Sequence, residues 1–399
     1  MKSVRQAQGQ LSGAEIRGVW PDAEIRGVWI DRSSLVSRDE MRATLQNLAA
    51  ANFNLAFVNV WSRGYPLWRS RVFEHETGLP TDPGFNGRDV LAEFIEEARD
   101  AGIAVMPWAE YGFIGGYSGY LPGPGGRGPI FERHPGWLAR TSAGVTQFTA
   151  PGGFFYWMSH THPEVQEFLL ALMEELARNY PIAGIQFDRV RYPQLDCGYD
   201  DYTVQLYRQE NNGAAPPADG NNAAWMRWRA DKANQFVKSL WLRLKGVNRN
   251  LAVNNAPIVH PFGYVNFAQE YPAWLRDGAL DFATPQIYRR TAAEYEAELD
   301  RQLGHFRQGQ LDTRLLVPGI DITNSNSAAE LIRMIEITRQ RQLPGVVVWY
   351  YRGLLNAGAF DRLRATVFAT RAPLPWERTR SGAGRVNAGR QVMPEVRPD

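Results

Sequence analysis

Eight short apolar runs alternate with amphipathic helical patterns, and this alternation constrains the fold more than any other feature of the chain. The runs are Ile25–Ile30, Leu55–Trp61, Ala104–Tyr111, Gly184–Asp188, Leu251–Pro257, Leu280–Tyr288, Leu315–Asp321 and Gly345–Tyr351. Between them lie patterns such as "GRDVLAEFIEEARDAGI", "HPEVQEFLLALMEELARNYP" and "AAELIRMIEITRQRQLPG". A buried parallel strand reads as a short apolar run, and a helix between two such runs supplies the crossover that parallel pairing needs. Eight parallel strands are the number that closes a barrel whose interior side chains just fill it. A doubly wound open sheet is the alternative, but no GxGxxG follows the first run to mark a dinucleotide site. The expected fold is therefore α/β, a (β/α)8 TIM barrel.

Boundaries follow from the same reading. "AEIRGVWPD" (14–22) is followed at once by a near copy, "AEIRGVWID" (23–31). Nine residues are too few for an architectural repeat. The second copy runs into "SRDEMRATLQNLAAANFN", which reads as a capped amphipathic helix, so it supplies the first strand. Residues 1–22 are then an N-terminal extension, 23–371 the barrel, and 372–399, poor in apolar residues, a disordered tail. Long loops follow strands 3 and 4, over 112–162 and 194–224.

Composition excludes several functions. A net charge of +2 over 399 residues offers nucleic acid no basic surface. Cys197, the single cysteine, leaves no disulfide, zinc cluster or CxxC pair. No run reaches the roughly 18 apolar residues of a membrane helix. The opening "MKSVRQAQGQLSG" lacks the apolar middle of a signal peptide, so the chain is cytosolic or its signal lies outside this sequence; export is the favoured expectation. GxSxG, Walker and HExxH motifs are absent. His160 and His162 in "SHTHPEV" have HxH spacing, with His260 as the one other histidine near a strand end, but they precede a helix. No metal and no cofactor is expected.

In a barrel, chemistry gathers at the C-terminal ends of the strands. Those ends carry Asp31, Asn59 with Trp61, Glu110, Asp188, Asn254 with Asn255, Gln286 with Tyr288, Asp321, and Trp349 with Tyr350. Carboxylates can work on a glycosidic bond, amides on hydroxyls, and aromatic faces on sugar rings; 13 Trp and 16 Tyr in the chain suit such a ligand, and equally the core of a large α/β fold. Glycoside hydrolysis takes two carboxyl groups, one to protonate the leaving oxygen and one to attack or to activate water. Asp188 is the first candidate, with Arg189 and Arg191 beside it to hold it ionised. Glu110 in "MPWAEYGF" is the second. Trp108 lies on the same side of its strand, and aromatic bulk would raise the carboxyl's pKa enough to keep a proton. Neighbouring strands could place the two within ~5–10 Å. Asp31 and Asp321 are reserves, each able instead to cap a turn.

Taken in order, "EIRGVWID", "NFNLAFVNVWSRGYPLWRS", "MPWAEYGF", "HPGWL", "WMSHTHPEV", "GIQFDRVRYP" and "ATPQIYRR" resemble the glycosyl hydrolase-like family 10 of bacterial proteins, over roughly residues 23–355. The resemblance implies a glycosidase on a TIM-type barrel, acting on a polysaccharide or oligosaccharide such as the glycan strand of peptidoglycan. It puts the family's strand-4 aspartate on Asp188, its strand-3 acid on Glu110, and its glutamine–tyrosine pair on Gln286 and Tyr288. Arg63, Trp157 and His160 lie within the shared motifs and join the expected substrate contacts. The chain departs from the family pattern at Ser159–His160 and at Asn254–Asn255, both expected beside the substrate. A barrel that binds glycan without cleaving it is the rival reading, and a metal-dependent hydrolase around His160 and His162 a third.

Overall fold

The computed structural model describes residues 23–120 and 126–376. The first copy of the repeated nonapeptide lies outside the described residues, as does the tail from 377 onward. Eight strands form the expected parallel sheet: β1 (Ile25–Ile30), β2 (Leu55–Asn59), β3 (Ala104–Ala109), β4 (Gly184–Phe187), β5 (Ala252–Asn255), β6 (Phe282–Ala283), β7 (Gly319–Asp321) and β8 (Gly345–Trp349). They pair in the order β6-β5-β4-β3-β2-β1-β8-β7. The seam between β6 and β7 is closed by bridges joining Ala283 to Leu316 and Gln286 to Gly319. This is a (β/α)8 barrel.

The strands are buried on both faces because alternate residues serve two cores. Ile25, Trp29, Leu55, Phe57, Met106, Trp108, Phe282 and Val347 fill the barrel interior. Val28, Ile30, Ala56, Val58, Val346 and Val348 turn outward to the helices. The first of these, Arg38–Ala50, starts where the sequence indicates: Ser37 accepts a hydrogen bond from the Glu40 amide, and Met41, Leu45 and Leu48 face the core.

One boundary moves. Residues 372–376 belong to the barrel rather than to an unstructured tail. Leu374 and Trp376 are buried against the interior cluster, with Trp376 stacked on Phe282, and the Pro373 carbonyl accepts from the Glu24 amide. Five residues, two of them prolines, are too short a run to give a periodicity, so the sequence alone does not reveal this plug. Leu374 is 1% exposed, so Leu374→Ala should cost about 2–5 kcal/mol, seen as a lower urea midpoint with an unchanged m-value.

The loops at the C-terminal end carry structure of their own. After β2 comes a two-stranded hairpin, Trp61–Ser62 with Tyr65–Pro66. After β3 comes a three-stranded antiparallel sheet of Ile114–Tyr117, Phe148–Ala150 and Gly153–Trp157. After β4 lies the helix Asp201–Glu210. Of these, the hairpin reaches a cavity at the barrel mouth, through Ser62 and Arg63.

Candidate active site

Glu110 and Asp188 each lie one residue beyond the end of a strand, on the adjacent strands β3 and β4. The chain leaving Glu110 turns at Gly112, where φ is +48°; a Cβ there would stand 2.2 Å from the Asp188 carbonyl oxygen. Glycine therefore lets the two strand ends come close. Arg189 ties them. Its Nε donates to the Glu110 carbonyl at 3.0 Å, and its guanidinium reaches Glu110 Oε1 at 3.4 Å. The Asn59 amide donates to the other Glu110 oxygen. Asp188 accepts from the Arg189 backbone N–H at 2.6 Å and from the Trp108 indole at 3.3 Å.

Both carboxyls line one inner cavity of about 120 Å³, together with Trp29, Trp108, Arg189, Arg191, Ala256, Gln286, Tyr288 and Trp349. Trp349 is the centre of its aromatic lining, edge-on to Trp108 and Trp29 and stacked on Tyr288. A second, outer cavity of about 610 Å³ runs between the hairpin after β2 and the loops after β1, with Asp31, Asn59, Arg63, Phe85, Asn86 and Tyr120 on its walls. Ligand sites usually span ~300–1,000 Å³, so the outer cavity is of ligand size and the inner one holds a single small moiety. Among the described residues, Glu110 is the one that lines both.

The electrostatics differ from the sequence expectation at one point. Arg189 and Arg191 do pull the Asp188 pKa down, but burial outweighs them, and the carboxyl is raised rather than lowered. Asp188 is only 5% exposed, so the lost hydration of the anion is the larger effect. Glu110 is raised as expected, by burial first; Arg189 opposes the shift and the neighbouring Asp188 charge adds to it.

This has a consequence for stability. A carboxyl raised in the folded state binds its proton more tightly there than in the unfolded chain. Its contribution is full below the unfolded pKa of about 4 and is lost as pH rises through the folded value. Asp188→Asn cannot ionise. Urea midpoints measured from pH 4 to 8 should therefore show the variant gaining on the parent as pH rises, by up to about 1.4 kcal/mol per unit by which the pKa is raised. A constant gap would mean that the pKa is not raised.

Other expected residues fall into two groups. Asn59, Arg63, Trp108, Arg189, Arg191, Gln286, Tyr288 and Trp349 line one cavity or the other. Asp31 does so too, while also capping the turn Arg32–Leu35 through the Ser33 amide. Six line neither cavity. Trp61, on the first strand of the hairpin, is buried with its indole donating to the Gly112 carbonyl. Trp157 is buried beside the His160 ring, in the strand pairing with Ile114. His160 is sandwiched between Phe113 and Tyr192; its Nε2 lies 2.8 Å from the Arg191 carbonyl, and burial pushes the imidazole down to about 3. Asn254 bonds Gln186, Thr284 and the Phe282 carbonyl inside the barrel. Asn255 bonds the Phe187 carbonyl. Asp321 is spent on the Thr323 amide and hydroxyl at 2.6 Å. The two departures from the family pattern thus sit in packing and line neither cavity, with His160 Nδ1 and Asn255 Oδ1 left without a hydrogen-bond partner among the described residues. Among the described residues, no three His, Cys, Asp or Glu come together as metal ligands.

Sequence reasoning passed over Trp29, Phe85 and Tyr120. Trp29 was within reach, since it stands two residues before Asp31 on the same strand face. Phe85 and Tyr120 come from separate loops, and nothing local marks them.

Comparison with known proteins agrees with this architecture. The family described as Glycosyl hydrolase-like 10 matches residues 15–318. Glycosyl hydrolase DigH of Escherichia coli (strain K12) is 24% identical over 328 residues, 73% of this chain and 70% of DigH. Glycosyl hydrolase YngK of Bacillus subtilis (strain 168) is 23% identical over 363 residues, 83% of this chain and 67% of YngK. Among solved structures, the catalytic domain of the Paenibacillus polymyxa β-amylase superposes with a TM-score of 0.65 at 12% identity, covering 88% of this chain and 99% of that one. The PgaB (BpsB) glycoside hydrolase domain of Bordetella bronchiseptica gives 0.56 at 13% identity, covering 86% and 98%. At such identities the structures speak for the fold.

Proposed function

The chain belongs to the glycosyl hydrolase-like 10 family, and from that membership and the paired acids at its barrel mouth we propose that it hydrolyses glycosidic bonds of a polysaccharide, with the peptide-free glycan strand of peptidoglycan as the first substrate to try. The observation that carries the reading is the position of Glu110 on both cavities while Asp188 lines the inner one alone. A glycosidic oxygen joins two sugars, so the acid that protonates it must stand where one subsite meets the next. In this reading the inner cavity takes the ring whose anomeric carbon reacts, against Trp349, and the outer cavity takes the leaving sugars. Glu110 gives its proton to the bridging oxygen as the C–O bond breaks. Asp188 faces the developing positive charge, as nucleophile or as base toward water. Gln286 and Tyr288, which line the inner cavity, supply hydroxyl contacts in this reading.

The test is incubation with a panel of bacterial and plant polysaccharides, including peptide-free peptidoglycan strands, with release of reducing ends as the readout and Asp188→Asn as control. Binding of a glycan without any release would favour the non-catalytic barrel.

A further inference from the structure

The cations of the outer cavity are not equivalent. Arg32 is neutralised by Asp82, donates to the Tyr120 hydroxyl and lies over the Phe85 ring. Arg88 is paired with Glu93 and donates to the Val36 carbonyl. Arg63 makes neither an ion pair nor a hydrogen bond among the described residues; its guanidinium lies 4.5 Å from the Tyr120 ring centre and 5.9 Å from that of Tyr117. Stacking of this kind fixes a guanidinium plane and leaves its N–H edge open.

The backbone beneath it is equally set. Arg63 and Gly64 are the two central residues of the hairpin after β2, with φ of 59° and 83°, the pattern of a type I′ turn. Asn or Asp is the usual first residue there; arginine pays a conformational cost for the place. The turn is also wedged, since a Cβ on Gly64 would lie 2.1 Å from the Gly115 carbonyl oxygen. A rigid tip thus carries an uncompensated cation into the cavity that also holds Glu110. The acids on the same walls do not answer it. Asp31 is engaged by the Ser33 amide and the Ser34 hydroxyl, and Glu110 by Asn59 and Arg189.

We propose that Arg63 is a specificity-determining residue that takes a carboxylate on the leaving-side sugar, so that the preferred substrate is an acidic glycan rather than a neutral one. A planar guanidinium with a free edge matches a carboxylate through two parallel N–H···O bonds. The carboxylate could be a lactyl ether, as in peptide-free peptidoglycan strands, or a uronic acid. The inference rests on the glycosidase reading for its turnover assay but not for its binding assay.

The experiment uses the full chain, each of those two glycan types, and each glycan after chemical reduction of its carboxyls to alcohols. On the carboxylated form, Arg63→Ala should lower kcat/KM by roughly 10- to 10²-fold, mainly through KM. Arg63→Lys should recover part of the loss, because the charge returns without the fork. Removing the guanidinium and the carboxylate together should cost no more than removing either alone. The glycan type that shows this non-additivity identifies the source of the carboxylate. Calorimetric titration of the same glycans into Asp188→Asn and into Asp188→Asn with Arg63→Ala repeats the comparison without catalysis. Equal losses on carboxylated and reduced glycans, or no loss, would overturn the proposal. Absence of turnover with the binding pattern intact would count against the glycosidase reading alone.

Discussion

Asp188→Asn should reduce glycan hydrolysis by at least about 10³-fold, a rise of about 4 kcal/mol in the barrier, while the protein stays folded. The substitution keeps size and shape but removes the charge that the reacting anomeric carbon would meet. It also sets an amide N–H against one of the two donors that Asp188 now accepts from, the Arg189 backbone and the Trp108 indole. That conflict is worth about 1–3 kcal/mol of stability and is independent of pH, so it offsets the urea midpoint without altering the pH slope described above. Far-UV circular dichroism and the midpoint at pH 4 separate misfolding from loss of chemistry. Full activity in the variant would remove Asp188 from the mechanism.

Glu110→Gln should lower activity on natural glycans by about 10²- to 10⁴-fold, the usual worth of a positioned acid. Its signature is the dependence on the leaving group. A nitrophenolate departs without a proton, so an activated aryl glycoside of the sugar identified in the panel should lose far less than the glycan does. Asp188→Asn should impair both substrates alike. The reverse pattern would exchange the two roles, and equal losses in both variants on both substrates would mean that neither is the proton donor. Glu110 retains 19% side-chain exposure on the boundary between the cavities, whereas Asp188 is closed in beneath it. That difference in reach is why the donor role is assigned to Glu110.

The strands, their order along the chain and the two acids were legible because each depends on local pattern. A strand buried on both faces must be apolar along its length, and the first polar residue past it marks the mouth. Asp188 after "GIQF" and Glu110 after "AVMPWA" are both of that kind. At Asn254, Asn255 and Asp321 the same rule marks residues that line neither cavity. A polar residue at a strand end can be consumed by neighbouring backbone as readily as it can face a ligand, and only the hydrogen-bond partners tell which. Trp61, Trp157 and His160 stand in conspicuous motifs for packing reasons. Each is buried, Trp61 within the hairpin after β2, Trp157 within the small sheet after β3, and His160 between two aromatic rings.

By itself, then, the amino-acid sequence determined the barrel and nominated the acids, since period-two burial and strand-end polarity are written in residues adjacent along the chain. Tertiary structure decided what those acids face. It made burial outweigh two arginines in setting the Asp188 proton affinity, engaged Arg32 and Arg88 while leaving Arg63 without an acid among the described residues, and drew Tyr120 and Phe85 from distant loops into one wall. Desolvation and charge pairing depend on distances through space, and those are set only when the loops have folded over the barrel mouth.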